Sequence, residues 1–200
     1  MSIYKEREFD LPDLAGISKK NIIEHLKLYS GYVKHSNLIQ DEIKKLSEDR
    51  EKNKFAIGEM RRRLGFEFDG MRNHEYFFEQ LEGGAKDHPK DCLFQDKVEA
   101  VWGSYDAWLA DFKDTATTRG IGWAVTYYDK ENDHMMNFWI DEQHIGHPTG
   151  LMFAFGLDMW EHSYVYDYPT SEKAKYVDAF FKNVNWEAVD QRFRTFAEDQ

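Results

Sequence analysis

The chain carries one cysteine, Cys92, so no disulfide can form within it. The neighbours of Cys92 do not resemble a cysteine-nucleophile motif, and the thiol reads as structural. Basic residues are in deficit, with 26 Lys and Arg against 37 Asp and Glu and a net charge of -11. That balance argues against a general binder of nucleic acid or anionic membrane. It also repels small anions at long range, so attraction for an anionic substrate has to come from local features at a site mouth. No apolar run approaches the length of a membrane span. The opening segment MSIYKEREFDLPDL has no apolar stretch of the kind a secretory signal needs. A reducing cytoplasm is the expected location. Internal repeats and low-complexity segments are absent.

Aromatic residues are plentiful: 15 Phe, 11 Tyr and 6 Trp among 200 residues. They imply a rigid, well-filled interior or an aromatic-lined site. Residues 1–16 lack periodicity and should form an extended arm. Ser18 is placed to cap a helix beginning KKNIIEHLKLYSGYV, and the pattern continues with rising charge through NLIQDEIKKLSEDREKNKFAIGEMRRRLGF. This predicts a helical hairpin ending at Gly65, with a third helix starting near Asp69–Gly70 and stopping at Gly83–Gly84. EGGAKDHPKD is linker-like. DKVEAVWGSYDAWLADFKDTA has helical spacing throughout and predicts one further helix. GWAVTYYDKENDHMMNFWID then reads as a β-hairpin about a KEND turn, LMFAFGLDMW as a third strand, and the tail as helical. The expected class is therefore α+β. An N-terminal helical hairpin lobe, residues 1–84, precedes a C-terminal lobe, residues 85–200, with a three-stranded antiparallel sheet and helices.

Four polar residues stand out by their company. His25 lies in an apolar helix beside Ile22, Ile23 and Leu26, with Tyr29 and Tyr32 on roughly the same face at +4 and +7. His74 sits in the aromatic run NHEYFF. Asp158 and His162 are four apart in LDMWEH, directly after an apolar strand where a lone carboxylate is costly unless it is paired or ligates a cation. Three imidazoles and one carboxylate suit a first-row metal. The same donor set would also serve zinc hydrolysis, so it does not by itself name a reaction.

Several segments, in order, resemble the iron/manganese superoxide dismutase family: RNHEYFF, WGSYDAWLADFKDTATTRGIGWAV, DMWEHSY and YVDAFFKNVNWEAVDQRF. The resemblance spans nearly the whole chain. It implies a single manganese or iron ion per subunit, held by His25, His74, Asp158 and His162 with a solvent molecule at the fifth position, and it implies conversion of superoxide to dioxygen and hydrogen peroxide. A homodimer is implied, and a tetramer is compatible with the same resemblance. Nucleic-acid and membrane partners are not expected.

The resemblance extends to the surroundings of the ligands. An ungapped alignment places Gln143 as the residue that holds the metal-bound solvent, with His144 as the adjacent alternative. Iron-preferring members often carry a Gln where this chain has Gly70, so the pattern leans to manganese, as does Gly156. Trp123 and Trp160 match rings that wall the site, and Phe78 replaces a third Trp. Glu161 matches a glutamate that reaches a ligating histidine of the partner subunit. Two departures concern the gateway. The family's H-x-x-x-H-x-x-x-Y becomes His25, Tyr29, Val33, which leaves Tyr32 as the gateway candidate if the helix is one residue shorter, and the second Tyr of H-x-Y-Y is Val165. An apolar contact between Tyr29 and Val165 across the dimer is the expected consequence. Two other readings stay open on residues alone: a non-redox metal-dependent hydrolase, and a catalytically silent member of the fold.

Overall fold

A computed structural model describes residues 3–198. The arm Ile3–Gly16 contains no helix and is latched along the first helix, α1 (Lys19–Leu46). The Asn37 carboxamide accepts from the Ile3 and Tyr4 amides at 2.8 and 3.0 Å, and the Tyr29 hydroxyl accepts from the Arg7 amide at 2.9 Å. The Ser18 hydroxyl accepts from the Asn21 amide at 3.2 Å and caps α1, while Lys44 and Lys45 complement the dipole at its far end.

The second helix, α2 (Lys54–Glu79), packs back on α1 and completes the hairpin. It departs from expectation by running unbroken through Gly65 and Gly70. Each glycine costs a helix interior about 1 kcal/mol relative to Ala. Packing overrides that cost at Gly70, where the Tyr32 ring occupies the space a side chain would need.

The expected single helix after the linker is two, α3 (Leu93–Trp102) and α4 (Tyr105–Thr117). Gly103 ends the first with a left-handed φ of 85°, and the Ser104 hydroxyl caps the second through the Ala107 amide at 3.1 Å. Strands β1 (Gly122–Asp129), β2 (His134–Asp141) and β3 (Met152–Asp158) form an antiparallel sheet of order β2-β1-β3. β1 is central and nearly all its residues are buried, so it reads as an apolar run without polar alternation. Helices α5 (Lys173–Phe181) and α6 (Trp186–Glu198) close the chain. The result is the α+β class expected, with six α-helices and three strands among the described residues. Buried rings of Phe94, Trp108, Phe112, Phe155, Trp186 and Phe193 fill the interior against the sheet, and the same apolar cluster continues to Ile22, Tyr29 and Phe78 of the helical hairpin. Cys92 is buried, accepts from the Gln95 amide at the start of α3, and has its pKa pushed up to about 12 by burial, in keeping with a structural role.

Candidate metal centre

Asp158 closes β3, and the turn after it is built from its own polar atoms. The Trp160 amide donates to Asp158 Oδ1 at 2.8 Å, and the Ser163 hydroxyl donates to the Asp158 carbonyl at 2.9 Å. The 3-10 turn Glu161–Ser163 thereby folds His162 back over the strand end, with Nε2 2.9 Å from Asp158 Oδ2. α1 brings His25 Nε2 to 3.1 Å from that oxygen, and α2 brings His74 Nε2 to 3.4 Å. One donor atom from each of the four residues lies within 4.8 Å of the others. Asn21, one helical turn before His25, ties α1 to this turn by donating to the Ser163 carbonyl at 2.9 Å and to Asp167 at 3.1 Å.

The electrostatics fit a cation. Burial disfavours the charged imidazole and lowers the pKa of His25, and that of His74 falls well below its ordinary value. Burial pushes the Asp158 carboxyl the other way, yet His162 and His25 beside it hold it far below the usual carboxylate range. His74 Nδ1 lies 2.5 Å from the Gly70 carbonyl, so the ring's one proton sits there and Nε2 presents a lone pair. That buried Nε2 has no hydrogen-bond partner and faces the Asp158 carboxylate. Two electron pairs pointed at one another in a dry site are stabilised by a metal ion between them. The residues fit one first-row ion held by three imidazoles and a carboxylate.

Aromatic rings enclose the cluster. Phe77 and Phe78 lie 5.0 Å from the His25 ring, Trp123 lies 5.1 Å from His74, and Trp160 stacks on His162 at 5.8 Å. Gln143 is fully buried in the loop after β2. Its Oε1 accepts from the Trp123 indole at 2.9 Å, and its Nε2 donates to the Tyr32 hydroxyl at 3.2 Å. Tyr32 lies 5.1 Å ring to ring from His74. His144 makes none of these bonds; its ring packs against Phe66 at 5.6 Å and its Nδ1 lies 4.0 Å from Glu142.

Tyr29 is placed otherwise than expected. Its ring is wholly buried against Phe9 and Phe78, and its hydroxyl donates to Glu75 at 3.2 Å and accepts from Arg7. No ring surface remains for a partner's Val165, so the anticipated apolar contact between the two cannot form. The arm residues Arg7 and Phe9 claim Tyr29, a partner that spacing along α1 does not reveal. Val165 is 49% exposed, beside exposed Glu161 and Tyr166. Sequence reasoning also passed over Asn73, whose buried amide donates to the Gln143 carbonyl at 3.0 Å. Its place next to His74 in RNHEYFF was the available signal.

A buried site of three imidazoles and one carboxylate, walled by rings and flanked by a fixed amide, defines a mononuclear metalloprotein. Comparison with known proteins narrows the class. Residues 90–192 match the family described as iron/manganese superoxide dismutases, C-terminal domain. The chain is 33% identical over 186 residues to "Superoxide dismutase [Fe]" of Aquifex aeolicus, covering 90% of this chain and 86% of that one. It is 34% identical over 197 residues to "Superoxide dismutase [Mn]" of Mycolicibacterium fortuitum, covering 93% of each. The chain belongs to the iron/manganese superoxide dismutase family.

Proposed function

We propose that this protein is a superoxide dismutase holding one manganese or iron ion on His25, His74, Asp158 and His162. The observation that carries this reading is the convergence of four donor atoms within 4.8 Å, one of them a buried imidazole nitrogen with no other partner. When bound, the ion supplies one-electron chemistry, accepting an electron from one superoxide, released as dioxygen, and giving it to a second, released as hydrogen peroxide after gaining two protons.

The chain's own residues do the rest. Three neutral imidazoles and one carboxylate leave the ion most of its charge and hold it where bulk water is largely excluded. The Tyr32 hydroxyl, its pKa raised by burial, keeps its proton beside the ligands. Gln143, fixed at both ends of its amide by Trp123 and Tyr32, would hold the Tyr32 hydroxyl in place beside the ligands. A site walled by rings favours a small substrate over a large one.

Manganese is the favoured ion in this reading. Support comes from the amide's origin in the loop after β2 and from Gly70, where a Cβ would lie 2.7 Å from the Tyr32 ring and a longer amide side chain has no room. Gly156 adds less, because its bare Cα is required by the Phe153 ring packed on it. The protein works as a two-fold dimer in which Glu161 reaches His162 of the partner subunit; exposed Glu161 and Val165 on the face that carries His162 support this. Its expected place is the cytoplasm. No helix among the described residues is long and apolar enough to cross a membrane.

The test is the stoichiometry of superoxide consumption by the metal-loaded protein. Half a mole each of dioxygen and peroxide per mole of superoxide is expected. Peroxide formed without dioxygen, or no consumption at all, refutes the reading.

A further inference from the structure

Gln143 is fixed at both ends of its side chain, but a side chain is only as well placed as the backbone that carries it. That backbone lies in a tight loop. Asp141 and Ile145 exchange amide hydrogen bonds of 2.9 and 3.0 Å, and Glu142 between them has a left-handed φ of 51°. The loop buries Gln143 completely, so its carbonyl has to find donors within the protein. It finds two. One is Asn73 Nδ2 at 3.0 Å, from α2; the other is His147 Nε2, also at 3.0 Å, from four residues further along the same loop.

His147 can turn back because Gly146 adopts φ 94°, a conformation open to glycine. Behind the imidazole stands Tyr127, whose hydroxyl is hydrogen-bonded to His147 Nδ1. Tyr127 is buried in β1, and burial raises its pKa, so the hydroxyl stays a donor. A hydroxyl donating to Nδ1 puts the ring's proton on Nε2, where it is donated to Gln143. Tyr127 and Trp123 lie four residues apart on β1, so they share one face of the strand. One face of β1 thus holds Gln143 twice: Trp123 grips the side-chain oxygen, and Tyr127 grips the main-chain oxygen through His147.

We infer that His147, oriented by Tyr127, is a positioning residue for the dismutase site that holds the Gln143 backbone so that its amide spans Trp123 and Tyr32. This rests on the functional reading above. A cavity of about 410 Å³ on the outer side, lined by Asp69, Arg72, Tyr76, Tyr127, His147 and Phe153 among others, gives a replacement side chain room. The effect of removing the imidazole therefore reports the lost donor and not a clash.

The experiment compares full-length, metal-loaded H147L and H147Q with the parent protein by crystal structure, by midpoint potential and by turnover per bound ion. H147L is expected to let Gln143 move, lengthening its bond to Tyr32 beyond 3.5 Å, to shift the potential, and to lower turnover about tenfold. In H147Q the side-chain amide sits where Nε2 was, and most of the loss should be recovered. An unmoved Gln143 with unchanged potential and turnover in H147L overturns the inference. So does an equal loss in H147Q, which would mean the ring matters only as packing. Should H147L not fold, His147→Met repeats the test, since it keeps length and removes the donor. A parent protein that fails to consume superoxide refutes the functional reading instead, and the Gln143 displacement remains readable in the crystal structures.

Discussion

Gly70→Ala separates helix propensity from site architecture. In an ordinary helix interior this change stabilises by about 1 kcal/mol. Here the added Cβ would lie 2.7, 2.8 and 2.9 Å from three ring carbons of Tyr32. Carbon atoms rest at about 3.5–4.0 Å, so the ring has to retreat by roughly 1 Å. It is confined by Phe66 at 6.0 Å, by His74 at 5.1 Å and by its bond to Gln143. Overpacking of this kind costs about 1–3 kcal/mol, which leaves a net destabilisation of about 0–2 kcal/mol after the propensity gain. The displaced hydroxyl also leaves hydrogen-bond range of Gln143, which should lower turnover by about 10- to 100-fold at full metal occupancy. Urea denaturation of the loaded protein and turnover per bound ion measure both effects. Repeating Gly70→Ala in a Tyr32→Ala background should return the ordinary gain of about 1 kcal/mol. A single Gly70→Ala variant that is about 1 kcal/mol more stable and fully active would refute the reasoning, because Tyr32 would then not be seated on Gly70.

Other expectations follow from the same geometry. Gln143→Ala should retain the metal and lose about 10- to 1000-fold in rate, with a small effect for His144→Ala; the opposite order of rates would make His144 the partner of the site. Asp158→Ala or His162→Ala should abolish metal retention and lower the thermal midpoint, because binding free energy is also folding free energy; metal analysis showing a full complement contradicts this. Glu161→Ala should weaken association and activity together, and light scattering that finds a monomeric, fully active parent protein argues against the dimer. For the metal-free protein, the folded pKa values of His25 and His74 are lowered by burial, so the unfolded chain binds more protons as pH falls below about 6.5. Stability should therefore decline from pH 7 toward pH 5, and a flat urea midpoint over that window would show that these imidazoles are not buried neutral.

The parts of the fold legible in sequence were those with a local signature. The β-hairpin about KEND, the apolar third strand and the Ser18 cap each follow from residues close together. The four candidate ligands were legible because Asp158 and His162 lie in one short motif and because His25 and His74 stand among apolar neighbours. Features set by distant residues were not. Gly65 read as a stop and Asp69–Gly70 as a new start, yet α2 continues through both, and the ring that fills the gap at Gly70 comes from α1. Helical spacing from Asp96 to Ala116 concealed the break at Gly103, where only the left-handed φ and the Ser104 cap mark two helices. Tyr29 and Tyr32 share a face of α1 in projection, but the arm takes one and Gln143 the other. His147 has no local signature in the sequence, and its meaning depends on Tyr127, twenty residues earlier.

The central claim is that the four converging residues hold one redox-active ion on which activity depends. Stripping the purified protein and reloading it separately with manganese, iron and zinc, then measuring metal per chain and superoxide dismutation, tests it directly. One ion per chain is expected, with activity returning on manganese or iron and staying absent on zinc. Full activity in the stripped protein, or equal activity with zinc, would contradict the account.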